Sequence, residues 1–110
     1  MSSKKIKRVP RNDRQIRKLY GNYMGVSNTY SKTMQLFTHS EQRTRILKNY
    51  VFWKSLATIF GGKHNRQLLV FTQQTAIEAY QRLEHWKYTN SDITQSDINR
   101  ETEKFMAMFP

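Results

Sequence analysis

Cationic side chains crowd the start of this 110-residue chain, and they carry its clearest chemical signal. Residues 1–20 hold eight Lys and Arg side chains against one acidic residue, Asp13. Such groups neutralise phosphates and release counterions, which gives a sequence-independent affinity that falls steeply with salt. We therefore predict phosphate contacts from a basic arm; a solubilising tail is the simpler alternative. The candidate residues are Lys4, Lys5, Lys7, Arg8, Arg11, Arg14, Arg17 and Lys18.

A second cationic stretch lies in the middle of the chain. Residues 43–66 contain six basic side chains and no acidic one, whereas an ordinary solvated helix interleaves both signs. This stretch is predicted to extend a basic groove from the arm to the turn that follows. The candidates along it are Arg43, Arg45, Lys48 and Lys54.

The turn after this stretch partly resembles a helix-turn-helix. Ala57 and Gly61 have the separation found at the tight turn of that motif. The next residues would open a recognition helix, because Arg hydrogen-bonds guanine and Asn or Gln hydrogen-bonds adenine. Gly62 and Gln67 depart from the motif, and a plain Gly-Gly turn in a helical hairpin explains the same residues. The predicted base-contacting residues are Lys63, His64, Asn65 and Arg66.

Aromatic residues close to these cations are a third candidate site. Single strands are held by bases that stack on aromatic rings beside a basic groove. Core packing is the alternative explanation for each of these rings. The four that neighbour basic residues in the sequence are Tyr20, Tyr23, Phe52 and Trp53. Phe52 falls off the main apolar stripe of its helix, and it and Tyr88 are the rings that we single out for testing.

Catalytic chemistry has little support in the sequence. The three histidines do not pair at metal-ligand spacing, and the chain has no cysteine and no Gly-rich phosphate loop. Asp92, Asp97 and Glu101 could hold Mg²⁺, since Asp97 and Glu101 share a helix face, although a solvated acidic patch near a helix N-terminus is the plainer explanation. We expect no enzymatic activity, no cofactor and no metal.

The net charge of +11 points to a polyanionic partner, because it exceeds the usual charge of a small domain, about 2–8. The longest apolar run is five residues, far short of a membrane span. No stretch near Met1 resembles a signal peptide, and the absence of cysteine suits a reducing compartment. We expect a cytoplasmic protein that associates with a nucleoid or a nucleoprotein. A basic transit peptide and a membrane-surface helix at residues 12–24 are the alternatives.

Helical periodicity organises the chain beyond the arm. Residues 1–11 are predicted to be a flexible basic arm, and residues 12–110 a single helical domain. No segment alternates long enough to predict a strand, so the fold class is all-α, a small bundle of four to five helices. The expected helices run from Asn12 or Asp13 to Gly25, over 28–38, over 41–60 behind a Ser40 cap, from Asn65 to about Tyr88, and from about Ser96.

The leading hypothesis is a non-enzymatic protein that binds DNA or RNA through its phosphates. The alternative is an interaction module, or a subunit of a nucleoprotein complex, that docks on a partner protein. A homodimer is also credible, because apolar residues near the end of the chain could be covered by a second copy. The residues expected on that surface are Phe105, Met108 and Phe109.

Overall fold

The computed structural model describes residues 8–25, 37–62 and 65–109. Within these ranges the chain forms four helices and no strand, which confirms the predicted all-α bundle. Most of the helix expected over 28–38 and residues 1–7 of the arm lie outside the described ranges. The four helices are α1 (Asp13–Met24), α2 (His39–Gly62), α3 (Arg66–Asn90) and α4 (Gln95–Met106).

Local signals set both ends of α1. The Asn12 side chain accepts a hydrogen bond from the Gln15 backbone N–H at 2.9 Å, as expected of an N-cap. Gly25 ends the helix at φ 75°, a left-handed conformation that costs glycine little, and donates to the Gly21 carbonyl. The face between these caps packs inward through Ile16, Leu19, Tyr20 and Met24.

The central helix, α2, begins two residues earlier than a Ser40 cap would place it. Thr38 caps it, because its hydroxyl accepts from the Glu41 N–H and the Glu41 carboxylate accepts from the Thr38 N–H. This reciprocal pair satisfies two N–H groups, which a cap at Ser40 could not do here. Four side chains on the buried face of α2 are almost completely enclosed: Val51, Phe52, Leu56 and Phe60.

Helices α2 and α3 lie side by side as an antiparallel hairpin. Near the turn, Gly61 lies close to Leu69, and the Asn65 N–H donates to the Phe60 carbonyl. At the far end of the pair, the His39 and Trp86 rings lie 4.8 Å apart. The buried small residues Ala76 and Ala79 allow close packing along the length between these two ends.

These two helices have 24 and 25 residues, which is long enough to cross a bilayer. They carry too many charged and polar side chains to do so. Across the described ranges, no helix combines the length and the apolar character of a membrane span.

The short helix α4 closes the bundle against α1 and α2. Thr94 and Asp97 form a capping box at its start, and Ile98 and Phe105 face inward. Phe105 is completely buried, while Met108 and Phe109 are half-buried and pack against the core. Phe105 is therefore not available to a second copy, and only parts of Met108 and Phe109 remain exposed on the apolar surface expected there.

Phe52→Ala tests the centre of this core. The Phe52 ring is fully buried, and its removal should lower the free energy of unfolding by about 3–5 kcal/mol, because a cavity is left among other rings. Tyr88→Ala is the matched control: that ring is 88% exposed, and its loss should change stability by less than about 0.5 kcal/mol. Urea denaturation of both variants measures the difference. Equal losses would show that Phe52 does not hold the core together.

Candidate nucleic-acid interface

A basic groove runs along one flank of α1. It has a volume of about 470 Å³ and is lined by Arg8, Arg11 and Lys18 together with Val9, Pro10, Gln15, Leu19 and Asn22. The chain before α1 forms one wall, because Pro10 is buried and Val9 packs against the core. The Arg11 N–H donates to the Gln15 carboxamide at 2.7 Å and ties that wall to the helix. Three predicted phosphate contacts are thus brought together.

The remaining cations of α1 continue from this groove across its outer face. Arg14 and Arg17 are exposed, as are Arg11 and Lys18. At about 100° per residue, the order around the helix is Arg17, Arg14 and Lys18, within an arc of about 100°. Arg11 precedes the helix and lines the groove together with Lys18. Arg17 pairs with Asp13 at 2.9 Å. Among the described residues, no carboxylate pairs with the other three or with Arg8, so the arc is strongly positive.

The cations of α2 do not form one groove with these residues. Around the helix, Arg43 and Lys54 lie about 20° apart, and Arg45 and Lys48 lie at least about 120° from Lys54. Arg45 lies 4.0 Å above the Phe37 ring, and Lys48 lies 4.6 Å above the Tyr23 ring beside α1. Lys54 is exposed on the α3 side of the helix. The predicted groove from the arm to the turn is therefore split between two sides of α2.

Arg43 joins the helices rather than projecting into solvent. Its Nη2 atom lies 2.9 Å from the Asp97 carboxylate, and its Nε donates to the Asp92 carbonyl at 2.7 Å. Removing Arg43 from these partners would leave the Asp97 carboxylate with only the longer ion pair to Arg100, at 3.5 Å. We therefore leave Arg43 out of the candidate interface.

Two carboxylates around Arg43 have lowered pKa values. Burial raises the pKa of Asp92, but hydrogen bonds from His39 and Trp86 outweigh it. For Asp97, the Thr94 backbone hydrogen bond is the largest cause of the lowered pKa, and the charge of Arg43 adds to it. Both groups stay ionised, because their neighbours stabilise the charged form.

The turn between α2 and α3 is only partly described, since Lys63 and His64 lie outside the described ranges. Arg66 is exposed at the start of α3. The Asn65 side chain caps α3 by accepting from the Leu68 N–H at 3.3 Å, so its carbonyl oxygen has a structural role. The helices of a helix-turn-helix diverge at about 90–120°, whereas α2 and α3 pack along their lengths. This geometry favours the plain hairpin interpretation.

Most of the aromatic candidates belong to the core. Tyr20 and Phe52 are buried, which rules out the predicted role of Phe52 as an accessible ring. The spacing of apolar residues puts Phe52 off the inner stripe, but α2 is apolar around most of its circumference, so that stripe does not mark its whole buried face. Tyr23 donates to Glu101 at 2.6 Å, and burial, followed by this bond and the Glu101 charge, raises the Tyr23 pKa. Tyr88 is 88% exposed and stays available.

The structure adds an aromatic pocket that the sequence did not single out. Rings of Tyr20, Trp53 and Phe71 line it, with Arg17, Arg82, Asn49 and Asp13 around them, and its volume is about 300 Å³. Phe71 is 41% exposed although it belongs to the long α3 hairpin helix. The position of Phe71 off the inner stripe of α3 could have predicted its exposure. The sequence of α3 alone could not predict that Trp53 and Arg17 lie beside it.

Across the described ranges, no cluster of three or more His, Asp or Glu side chains is placed to hold a metal ion. Asp97 is occupied by Arg43 and Thr94, and Glu101 accepts from Tyr23. The shared face of Asp97 and Glu101 thus has internal partners.

Comparison of the chain with protein-family models, with curated proteins and with solved structures finds no significant match. Its function is therefore argued from the surface of the molecule alone. The positive charge of the basic groove and of the adjoining outer face of α1 is the surface feature from which we argue.

Asp97→Asn tests the electrostatic role of the Arg43 cluster. The folded-state pKa of Asp97 is lowered, so its contribution is present above the unfolded pKa and is lost as pH falls through the folded pKa. The variant should be less stable than the wild type at neutral pH, and the gap should shrink at about pH 2, because protonation of Asp97 progressively removes its charge as pH falls. Urea denaturation at the two pH values measures the gap. A gap of constant size would mean that the charge of Asp97 does not contribute.

Proposed function

We propose that this chain is a non-enzymatic nucleic-acid-binding protein that holds phosphates along α1. The observation that carries the proposal is the basic groove, where Arg8, Arg11 and Lys18 meet with no carboxylate in the lining. Cations placed side by side without counterions repel one another, and a row of phosphates relieves that repulsion. Guanidinium groups also form paired hydrogen bonds with phosphate oxygens, which an isolated ammonium group does not.

The groove also has a geometry that suits a chain of phosphates. The cationic arc of α1 continues from it through Arg14 to Arg17, so successive phosphates would meet successive cations. Lys4, Lys5 and Lys7 directly precede Arg8 in the sequence and would add contacts at the groove end. Phosphate contacts of this kind position a strand but do not distinguish its bases. Such a protein would act in the cytoplasm, on a nucleoid or a nucleoprotein.

The first experiment compares duplex DNA, single-stranded DNA and structured RNA as labelled probes for the purified chain. Binding should be measurable at low salt, and it should weaken by orders of magnitude between about 50 and about 200 mM salt. Absence of binding to all three at low salt would overturn the proposal. The preferred probe identifies the polymer.

Arg11→Gln/Lys18→Gln should weaken binding to every probe by a similar factor, because both side chains line the groove. The slope of log affinity against log salt should become shallower by about 0.9 for each lost contact to duplex DNA, or about 0.7 for a single strand. Filter binding over a salt series measures both quantities.

Arg100→Gln/Lys104→Gln is the matched control for that variant. It removes the same charge from α4, where both side chains are exposed and have acidic neighbours. It should leave the slope close to that of the wild type. If the two variants lower affinity and slope equally, net charge rather than the groove governs binding.

We propose docking on a partner protein as the second candidate, and an apolar groove between α2 and α3 supports it. Ile77 and Tyr80 are 59% and 47% exposed there, beside Tyr50 and Ala57. Exposed apolar side chains that line one groove are typical of interaction surfaces. The partner could be a nucleoprotein subunit or a second copy of this chain. Docking on a partner protein is favoured over nucleic-acid binding if the purified chain binds none of the three probes.

A further inference from the structure

The aromatic pocket has the walls of a base-stacking site. Trp53 and Phe71 meet edge to face, with ring centroids 5.8 Å apart and planes at 89°. Tyr20 stacks on Trp53, with ring centroids 5.7 Å apart and planes at 30°. Trp53 is half-buried and Phe71 is 41% exposed, so parts of both rings face open space. Aromatic faces in such a position bind the planar π-face of any base.

Polar groups around these rings match the rest of a nucleotide. Asn49 lines the pocket although its residue is only 3% exposed, and a side-chain amide can hydrogen-bond the edge of a base. Its Oδ1 atom accepts from the Tyr20 hydroxyl at 2.8 Å, which fixes the orientation of the amide. The pocket volume of about 300 Å³ is at the small end of the range for organic ligands.

Charge decides which part of a nucleotide would enter. Arg17 and Arg82 line the pocket, and so does Asp13, which pairs with Arg17 at 2.9 Å. Arg17 is thus largely neutralised, so the pocket offers a phosphate less than the outer face of α1, where the other cations have no carboxylate partner among the described residues. The aromatic walls suit a neutral base, and its phosphate can remain outside on that cationic face.

Helix α1 connects this pocket to the phosphate-binding surface. Arg17 lines the pocket, and Arg11 and Lys18 line the basic groove on the opposite flank. Arg14 lies between the two, on the arc of about 100° that runs from Arg17 to Lys18. A strand held by its phosphates on this arc would bring one of its bases to the mouth of the pocket.

We propose that the aromatic pocket takes one unpaired base from a single strand whose phosphates are bound along α1. This inference rests on the proposed nucleic-acid binding, and it adds a preference for single strands over duplexes. A duplex keeps its bases stacked, and extracting one costs energy that an unpaired strand does not spend.

The test compares three probes of equal length and phosphate count: a single-stranded oligonucleotide, the same strand with abasic sugars, and the duplex. Stacking of one base should make the strand with bases bind at least about fivefold more tightly than the abasic strand. Its binding should also quench tryptophan fluorescence, whereas the abasic strand should not.

Phe71→Ala should bring the ratio of the two affinities close to one. The abasic strand and the salt slope should be unaffected, because no phosphate contact is lost. Tyr88→Ala removes an aromatic ring that does not line the pocket and should keep the ratio at the wild-type value. Phe71→Leu and Phe71→Tyr form a second pair, in which only tyrosine keeps the planar face. If the alanine variant does not fold, the comparison of Phe71→Leu with Phe71→Tyr replaces it.

The outcomes separate this proposal from the proposed function. If the wild type binds strands with and without bases equally, the pocket proposal is overturned and the phosphate surface stands. If neither strand binds at low salt, both fail. If Tyr88→Ala loses the preference for the strand with bases and Phe71→Ala keeps it, the base stacks on Tyr88, and the pocket proposal is overturned. A free nucleoside monophosphate that quenches fluorescence as well as the strand would assign the pocket to mononucleotides instead.

Discussion

The contact of four rings with Phe52 is the interaction on which the candidate surfaces depend. Tyr20 and Tyr23 of α1, Trp53 of α2 and Phe105 of α4 lie within about 6 Å of its centroid. A helix as short as α1 is marginal on its own in water, and its arginines add mutual repulsion. The basic groove and the aromatic pocket therefore lie where they do because this junction holds α1 against the other helices.

Positive charge is distributed unevenly over the surface that this junction supports. The cations of α4 have acidic neighbours, with Arg100 near Asp97 and Lys104 near Glu101. Those on α2 lie over rings or, at Arg43, join two helices. Among the four described helices, only α1 presents several exposed cations with one carboxylate among them. Repulsion at α1 is tolerated because burial of the ring cluster supplies the opposing stability.

Local chemistry made part of this structure predictable from the sequence. The caps at Asn12, Gly25 and Asn65 depend on neighbouring residues, and the sequence predicts Gly25 and Asn65 outright and Asn12 as one of two choices beside Asp13. Thr38 was missed, because choosing it over Ser40 depends on the reciprocal bond with Glu41. The all-α class followed from the periodicity of the apolar residues.

Contacts between distant segments could not be obtained in the same way. Arg43 and Asp97 are 54 positions apart, so their pairing depends on how α4 packs on α2. The prediction that the Phe52 ring is accessible was wrong, because a helix that is apolar on most sides has no single inner stripe that separates buried from exposed positions. The aromatic pocket draws its walls from three helices, and the residue types of any one of them do not reveal it.

In the proposed function, phosphate binding and base stacking would solve different parts of single-strand recognition, and α1 would link them. Cations alone give no preference for a single strand over a duplex, and a pocket for one base is too small a contact to retain a polymer. If the phosphates bind as proposed, however, the next base would be held near the pocket at a high effective concentration. A weak stacking contact then acts as an intramolecular step, and the strand that can release a base gains from it while the paired duplex does not.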